Sequence, residues 1–101
     1  MFIVVYNLKI PPERAARYIQ IEKEMAGIYN EHGCLGVEIY RDAVDPQNWM
    51  EVYRFRDKEH YEEVVHSVVK DPRIEGLTKA FTSLLDGEEN RPRKGVYFRM
   101  I

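Results

Sequence analysis

The apolar residues of this chain change their spacing in a fixed order, and that order limits the folds that the chain can adopt. Residues 2–9, FIVVYNLK, combine β-branched and aromatic side chains and stop before Pro11-Pro12, because proline cannot donate to a β-ladder. From Pro12 onward the apolar residues recur at helical spacing, with Glu22 as the single polar interruption of that face. Gly33, a residue type favoured just after helix ends, closes the pattern. The first part of the chain therefore predicts one strand and one long helix.

Two strand-like segments follow, joined by a turn. CLGVEIYR (residues 34–41) and NWMEVYRF (residues 48–55) are both rich in aliphatic and aromatic side chains. Between them DAVDPQ (residues 42–47) supplies aspartate and proline, which favour turns. These residues predict a β-hairpin.

Two shorter helices are indicated after the hairpin. Asp57 stands where an N-cap is expected, and a valine-rich stripe at helical spacing follows it. Asp71-Pro72 places a capping aspartate before a proline at the first helical position, which predicts a third helix. The polar loop GEENRPRK (residues 87–94) and a last strand, GVYFRMI (residues 95–101), complete the order.

The order β-α-β-β-α-α-β is that of an α+β protein with the split βαβ arrangement of ferredoxin-like domains. Such a domain has a four-stranded antiparallel sheet with its helices on one face. A chain of 101 residues is long enough for one domain of this kind. We therefore expect a single domain over residues 1–101.

The two faces of the predicted sheet differ in composition. We assign the more uniformly apolar face to the helices: Leu35, Val37, Ile39, Met50, Val52, Val96, Phe98 and Met100. The opposite face then carries Glu38, Tyr40, Trp49, Glu51, Tyr53, Phe55, Tyr97 and Arg99. An aromatic patch of this size is rarely exposed on a monomer. We therefore expect a second copy of the chain to cover it, in a homodimer closed sheet to sheet.

Composition excludes several partners. The formal net charge of −2 provides no basic field for nucleic acid, and no segment approaches the roughly 20 apolar residues that span a membrane. Cys34 is the only cysteine, so one chain cannot form a disulfide or a cysteine-based zinc site. We expect a cytoplasmic protein without nucleic-acid or membrane partners.

The chain resembles the dimeric α/β barrel superfamily and, within it, the antibiotic-biosynthesis-monooxygenase-like domains. The features that carry the resemblance are the strand starting at Met1, the long helix before HGCLG, the hairpin into EVYRFRD, and the short helix opened at DPRI. The resemblance implies a small-molecule-binding protein similar to cofactor-independent monooxygenases that act on aromatic or quinone-like compounds. Isomerase-like chemistry without metal or flavin, and a non-catalytic dimeric ligand-binding or protein-interaction module, remain alternatives.

The chain departs from the family where strand three meets the next helix. The family pattern there is Glu-x-Trp, then an aspartate that begins the helix, then a histidine on that helix. Aligned on Asp57, these three positions hold Tyr53, Phe55 and Val64. The substitutions favour the non-catalytic alternative.

Two residues are candidates for catalysis. Asn7 is an amide in an otherwise apolar strand, which could hold a substrate carbonyl or activated oxygen, or could be a buried amide satisfied by backbone. His66, beside the apolar stripe of the second helix, has a side chain suited to proton transfer near neutral pH, or is a half-exposed flank of that helix. No ligand spacing such as HExxH occurs, so we expect no metal and no cofactor.

Other residues are candidates for holding a small aromatic ligand: Tyr18, Glu51, Tyr53, Phe55 and Arg99. Aromatic rings with a few hydroxyls suit a planar compound, although they suit a core or an interface equally. Glu38 and Glu51 are expected on one face of the hairpin. In one register they lie opposite each other as an acid/base pair, and in another each faces a tyrosine. Arg99 is a candidate ion-pair partner for either carboxylate.

Overall fold

Four strands and three helices make up the part of the chain that the computed structural model describes, residues 1–87 and 90–101. In chain order they are β1 (Phe2–Lys9), a short 3₁₀ turn (Pro12–Arg14), α1 (Ala15–Glu31), β2 (Gly36–Arg41), β3 (Asn48–Phe55), α2 (Lys58–Val68), α3 (Ile74–Thr82) and β4 (Arg93–Phe98). The strands pair antiparallel in the order β2-β3-β1-β4. The predicted α+β, ferredoxin-like arrangement is confirmed.

Helix α1 begins and ends as its sequence predicts. The 3₁₀ turn with Pro12 in its first position leads into it, and Gly33 follows its last turn with φ of 103°. That angle lies in the left-handed region, where a side chain is strained. Tyr18, Ile21 and Glu22 are buried along the face that packs on the sheet.

Helix α2 is capped by Asp57, as predicted. One carboxylate oxygen of Asp57 accepts a hydrogen bond from the backbone N–H of His60 at 2.7 Å. This cap lets the chain pass from β3 into the helix without a glycine. The side chains of Val64 and Val68 are buried on the inner face of α2.

Helix α3 and strand β4 differ from their predicted bounds. A carboxylate oxygen of Asp71 accepts a hydrogen bond from the backbone N–H of Arg73 at 3.0 Å. The helix itself begins at Ile74, whereas the sequence predicted a start at Pro72. Strand β4 begins at Arg93, inside the predicted polar loop, and Glu88 and Glu89 of that loop lie outside the described residues. The early start of β4 brings Lys94 into the sheet, opposite Tyr6.

The prediction of which side of β3 faces the helices is wrong. In the β2–β3 pairing Val37 lies opposite Tyr53 and Ile39 opposite Glu51, so these residues share one face. That face packs against the helices, which places Met50 and Val52 on the outer side. The inward residues of β3 are Trp49, Glu51, Tyr53 and Phe55, all buried. Neighbouring residues of a strand point to opposite faces, so only one set can be inward, and the set with three aromatic rings buries more apolar area.

The other strands follow the predicted faces. Val37 and Ile39 pack against the core under the helices, and Val96 and Phe98 pair with inward residues of β1. Leu35 and Met100 lie just outside their strands and are exposed. No helix within the described residues has both the length and the apolar character needed to cross a membrane.

The cap at Asp57 can be tested by a matched pair of substitutions. Asp57→Ala removes the acceptor for the His60 N–H, so we expect it to lower the free energy of unfolding by about 1 kcal/mol. Asp57→Asn keeps a side-chain oxygen and should cost much less. Urea denaturation of the three proteins measures the difference. Equal destabilisation by both substitutions would show that the cap does not contribute as described.

Candidate functional site

Two adjoining cavities lie between the inner face of the sheet and the helices. The first, of about 220 Å³, is lined by residues of β1, β3 and all three helices, among them Glu22, Glu51 and Phe81. The second, of about 180 Å³, lies beside it and is lined by residues that include Phe55, Tyr61 and Lys94. Tyr6, Tyr29 and Tyr53 line both cavities. The two cavities therefore adjoin along these three rings, and together they are called the tyrosine-walled site.

The shared tyrosines hold one another in place. The rings of Tyr6 and Tyr53 meet edge to face at 5.9 Å, and those of Tyr29 and Tyr53 at 4.8 Å. Burial raises the pKa of each of these three hydroxyls above the usual value. At neutral pH they are therefore neutral groups that can donate or accept hydrogen bonds, and they do not act as bases.

A pair of carboxyl groups is buried at the end of the site nearest α1. Glu22 is 3% exposed and Glu51 is 5% exposed. The hydroxyl of Tyr18 donates to Oε2 of Glu51 at 2.6 Å. The carboxyl groups of Glu22 and Glu51 face each other closely enough to hydrogen-bond once one of them carries a proton. Oε2 of Glu22 is buried and receives no hydrogen bond from a donor in the described residues. A proton on Glu22 gives this oxygen a hydrogen-bond partner, because the protonated carboxyl can donate to Glu51.

The pKa values of the pair follow from this geometry. Burial raises the pKa of Glu22 to about 8, with further contributions from the charge of Glu51 and the hydrogen bond between the two groups. Burial also raises the pKa of Glu51, while hydrogen bonds from Tyr18 and Glu22 oppose that rise. Two buried carboxylates in contact repel each other, so one proton is shared between them at neutral pH.

Four of the predicted ligand-binding residues come together here. Glu51 and Tyr53 line the first cavity, and Tyr53 and Phe55 line the second. Tyr18 lies behind Glu51, with its ring 5.0 Å from that of Trp49. The sequence placed these β3 residues together on the outer face. In the structure they do share one face, but it is the face covered by the helices.

The other predicted site residues lie elsewhere. Asn7 is exposed on the outer face of the sheet and lines two open pockets there, away from the two cavities under the helices. His66 is exposed on α2 and lines neither cavity. Arg99 follows β4, is exposed, and donates from Nε to the carbonyl of Ile101. Catalytic roles for Asn7 and His66 remain predictions from sequence.

The expected relation between Glu38 and Glu51 is wrong. In the register of the hairpin Glu38 lies opposite Val52 and Glu51 opposite Ile39, so the two carboxylates point to opposite faces. Glu38 instead accepts hydrogen bonds from Arg54 and Tyr40 on the outer face. The acid pair that the structure does form uses Glu22.

Glu22 and Lys94 were missed as site residues. Glu22 carried a signal, because it interrupts the apolar face of α1. A carboxyl group at a position that must be buried indicates either a strong partner or a function. Lys94 carried no such signal, because its place depends on where β4 begins and on its register with β1.

Phe55 and Val64, which align with the tryptophan and histidine expected from the resemblance, are both core residues, and Phe55 also lines the second cavity. Phe55 is completely buried and packs edge to face on Tyr61, with ring centres 5.1 Å apart. Val64 belongs to the same core. His60, one turn before Val64, is buried, and its Nδ1 accepts the backbone N–H of Arg56 at 3.0 Å. Within residues 1–87 and 90–101, no group of three or more His, Cys, Asp or Glu side chains could hold a metal.

The chain matches a known family in sequence. The family model described as antibiotic biosynthesis monooxygenase matches residues 1–71. Comparison with curated proteins gives no match.

Solved structures of similar fold cover nearly the whole chain. A mutant of SnoaB, a cofactor-independent oxygenase from Streptomyces nogalater, superposes with a TM-score of 0.77 at 10% identity, covering 99% of this chain and 93% of that one. An uncharacterised NIPSNAP domain protein from Burkholderia xenovorans gives 0.75 at 14% identity, covering 98% and 94%. Rv0793 from Mycobacterium tuberculosis gives 0.74 at 13% identity, covering 99% and 95%. At these identities the similarity shows a shared fold.

The buried pair makes a specific prediction about stability and pH. The folded-state pKa of Glu22, about 8, lies above that of a free glutamate. Between about pH 4.3, where a free glutamate titrates, and the higher folded-state value, the folded protein binds more protons than the unfolded chain. Its stability should therefore fall as pH rises through this window.

Glu22→Gln removes this titration while retaining a donor for Glu51. Relative to the wild type, we expect its free energy of unfolding to gain on the order of 5 kcal/mol across the whole window, about 1.4 kcal/mol for each pKa unit. Urea denaturation across the pH range measures both proteins. Every other titratable group is present in both proteins, so the difference between the two curves reports Glu22 and its coupled partner Glu51. Parallel stability curves would contradict a raised pKa at Glu22.

Proposed function

Since this chain belongs to the antibiotic biosynthesis monooxygenase family, we propose that it binds a hydroxylated aromatic or quinone-like compound under the helices and oxidises it with dioxygen. The observation that supports this most directly is the site itself, where tyrosine walls surround a buried, proton-sharing carboxyl pair. Aromatic walls with a few polar groups are typical of sites for planar ligands. The reaction is proposed to need no bound metal or flavin, as in the oxygenase SnoaB, which is described as cofactor-independent.

The proposed roles of the residues follow from their positions. Tyr6, Tyr29 and Tyr53 hold the ring of the ligand by edge and face contacts. Phe55 closes the second cavity from β3. Tyr18 holds Glu51 in a fixed orientation through its short hydrogen bond, as a positioning residue.

The proposed chemistry uses the carboxyl pair as a base. Glu51 accepts the proton of a ligand hydroxyl, and the resulting phenolate is electron-rich enough to react with dioxygen. If a ring CH₂ conjugated with this hydroxyl is oxidised, one oxygen atom replaces its two hydrogens as a carbonyl and the other leaves as water. Electrons and atoms then balance without an external reductant. A raised pKa suits Glu51 to this role, because a base works best when its pKa approaches the working pH.

Oxygen uptake tests the proposal. A panel of two-ring and three-ring hydroxylated aromatics, including compounds with a conjugated ring CH₂, is incubated with the wild type, Glu51→Gln and the surface control Glu63→Gln. We expect uptake with at least one compound and a loss of about 100-fold or more in Glu51→Gln, since a general base contributes this much. Glu63 is exposed on α2 and its change should leave the rate as in wild type. Full activity in Glu51→Gln, or no uptake with any compound, would contradict an oxygenase that uses this pair.

A second candidate is a ligand-binding protein without chemistry. It is favoured by Phe55 and Val64, which place apolar side chains where the family pattern has tryptophan and histidine. Binding of a panel compound without oxygen uptake would select this candidate over the first.

We also propose that the outer face of the sheet pairs with a second copy of the chain. The helices of the described residues pack on the other side. At the centre of the outer face Val5 lies opposite Val52. Met50 and Tyr97 around them remain 37% and 54% exposed. A two-fold arrangement would bury this apolar surface against itself.

The single buried Cys34 and the net charge of −2 support the further proposal of a reducing cytoplasmic setting without nucleic-acid partners.

The dimer has a simple test. Sedimentation equilibrium at micromolar concentration should give twice the chain mass of 12.0 kDa. Met50→Glu places a charge at an exposed position of the outer face and should shift the protein towards monomer, while Val44→Glu, in an exposed loop, should not. A wild type that sediments as a stable monomer would overturn this part of the proposal.

A further inference from the structure

Three residues on neighbouring strands form a row across the inner face of the sheet. In the pairing of β3 with β1, Glu51 lies opposite Tyr6, and in the pairing of β1 with β4, Tyr6 lies opposite Lys94. Neighbouring strands are about 4.8 Å apart, so the backbones at Glu51 and Lys94 are separated by about 10 Å. A carboxylate, a phenol ring and an ammonium group thus follow one another along a line in the site.

Lys94 marks the exposed end of this line. Its Nζ donates to the hydroxyl of Tyr61 at 2.7 Å and lies 5.2 Å from the centre of that ring. Among residues 1–87 and 90–101, no carboxylate lies within ion-pair distance of this ammonium group. Lys94 lines the second cavity together with Tyr6 and Tyr61. Its charge therefore faces ligand space.

The two ends of the row favour opposite parts of a ligand. At the buried end, Glu51 is held by Tyr18 and carries the charge that the pair retains, so an anionic group there would be repelled. A hydroxyl can instead donate to Glu51. At the open end, the ammonium group of Lys94 suits an anion. Between them Tyr6 offers a ring for contact with an aromatic body.

We infer that the ligand is a hydroxylated aromatic acid, which lies across Tyr6 with its hydroxyl towards Glu51 and its carboxylate towards Lys94. This rests on the proposed function in so far as the site takes an aromatic ligand, and it adds the acid and the orientation. Because the backbones at the two ends are about 10 Å apart, we choose as a probe a fused two-ring compound with its hydroxyl and carboxylate at opposite ends. The reverse orientation would place the carboxylate against Glu51 and leave Lys94 facing a neutral hydroxyl.

Three related compounds test the inference by equilibrium binding. They are a hydroxynaphthoic acid with its two polar groups at opposite ends, its methyl ester, and naphthol. We expect the wild type to bind the acid about tenfold more tightly than the ester, the size of one charge-assisted contact. Lys94→Met should remove this preference, Lys94→Arg should retain it, and Lys23→Met, at an exposed position of α1, should leave it unchanged. Naphthol should bind all four proteins equally, which shows that the site is intact.

The results separate the inference from the proposed function. If naphthol binds but the wild type does not prefer the acid to its ester, the inference is wrong and the aromatic site stands. The same conclusion follows if Lys94→Met keeps the preference. If none of the three compounds binds the wild type, both the aromatic site and the inference are overturned. Binding is measured without turnover, so a lack of oxygen uptake leaves the inference unaffected.

Discussion

The hydrogen bond from Tyr18 to Glu51 joins the longest helix to a central strand, and the arrangement of the site depends on it. A buried carboxylate is unfavourable unless donors compensate for the lost water. Tyr18 provides one donor and the protonated Glu22 provides another, both from α1. The Tyr18 ring also packs on Trp49, so polar and apolar contacts fix the helix at the same place. One end of the site is thereby set by polar side chains, and removing any one of their polar groups would leave a buried partner unpaired.

Stability alone does not explain why two carboxyl groups are buried side by side. Replacement of a buried charged group by a well-packed apolar residue is often neutral or stabilising. Groups with strongly raised pKa values concentrate in functional clefts, and this pair lines a cavity with tyrosine walls. Across the sheet the same row ends at Lys94, which supplies the opposite charge. The site thus has a buried proton acceptor at one end and a cation at the other.

The sequence predicted the architecture well because its signals are local. The bounds of β1 and β3, the cap at Asp57 and the end of α1 at Gly33 each depend on a few neighbouring residues. The side of β3 that faces the helices could not be settled this way, since both alternating sets mix apolar and polar residues and only tertiary packing decides between them. The sequence named Tyr18 and Glu51 separately as candidate ligand-binding residues, and the contact between them could not be foreseen. Lys94 required the register of three strands.

The central claim is that Glu22 and Glu51 share one proton at neutral pH. Carbon NMR of the side-chain carboxyl groups, with both residues assigned by substitution, tests it most directly because each chemical shift reports ionisation. The account predicts that Glu22 remains protonated at neutral pH and ionises only near its raised pKa of about 8, with a coupled change at Glu51. Complete ionisation of both carboxyl groups in the range of a free glutamate, about pH 4.3, would contradict it.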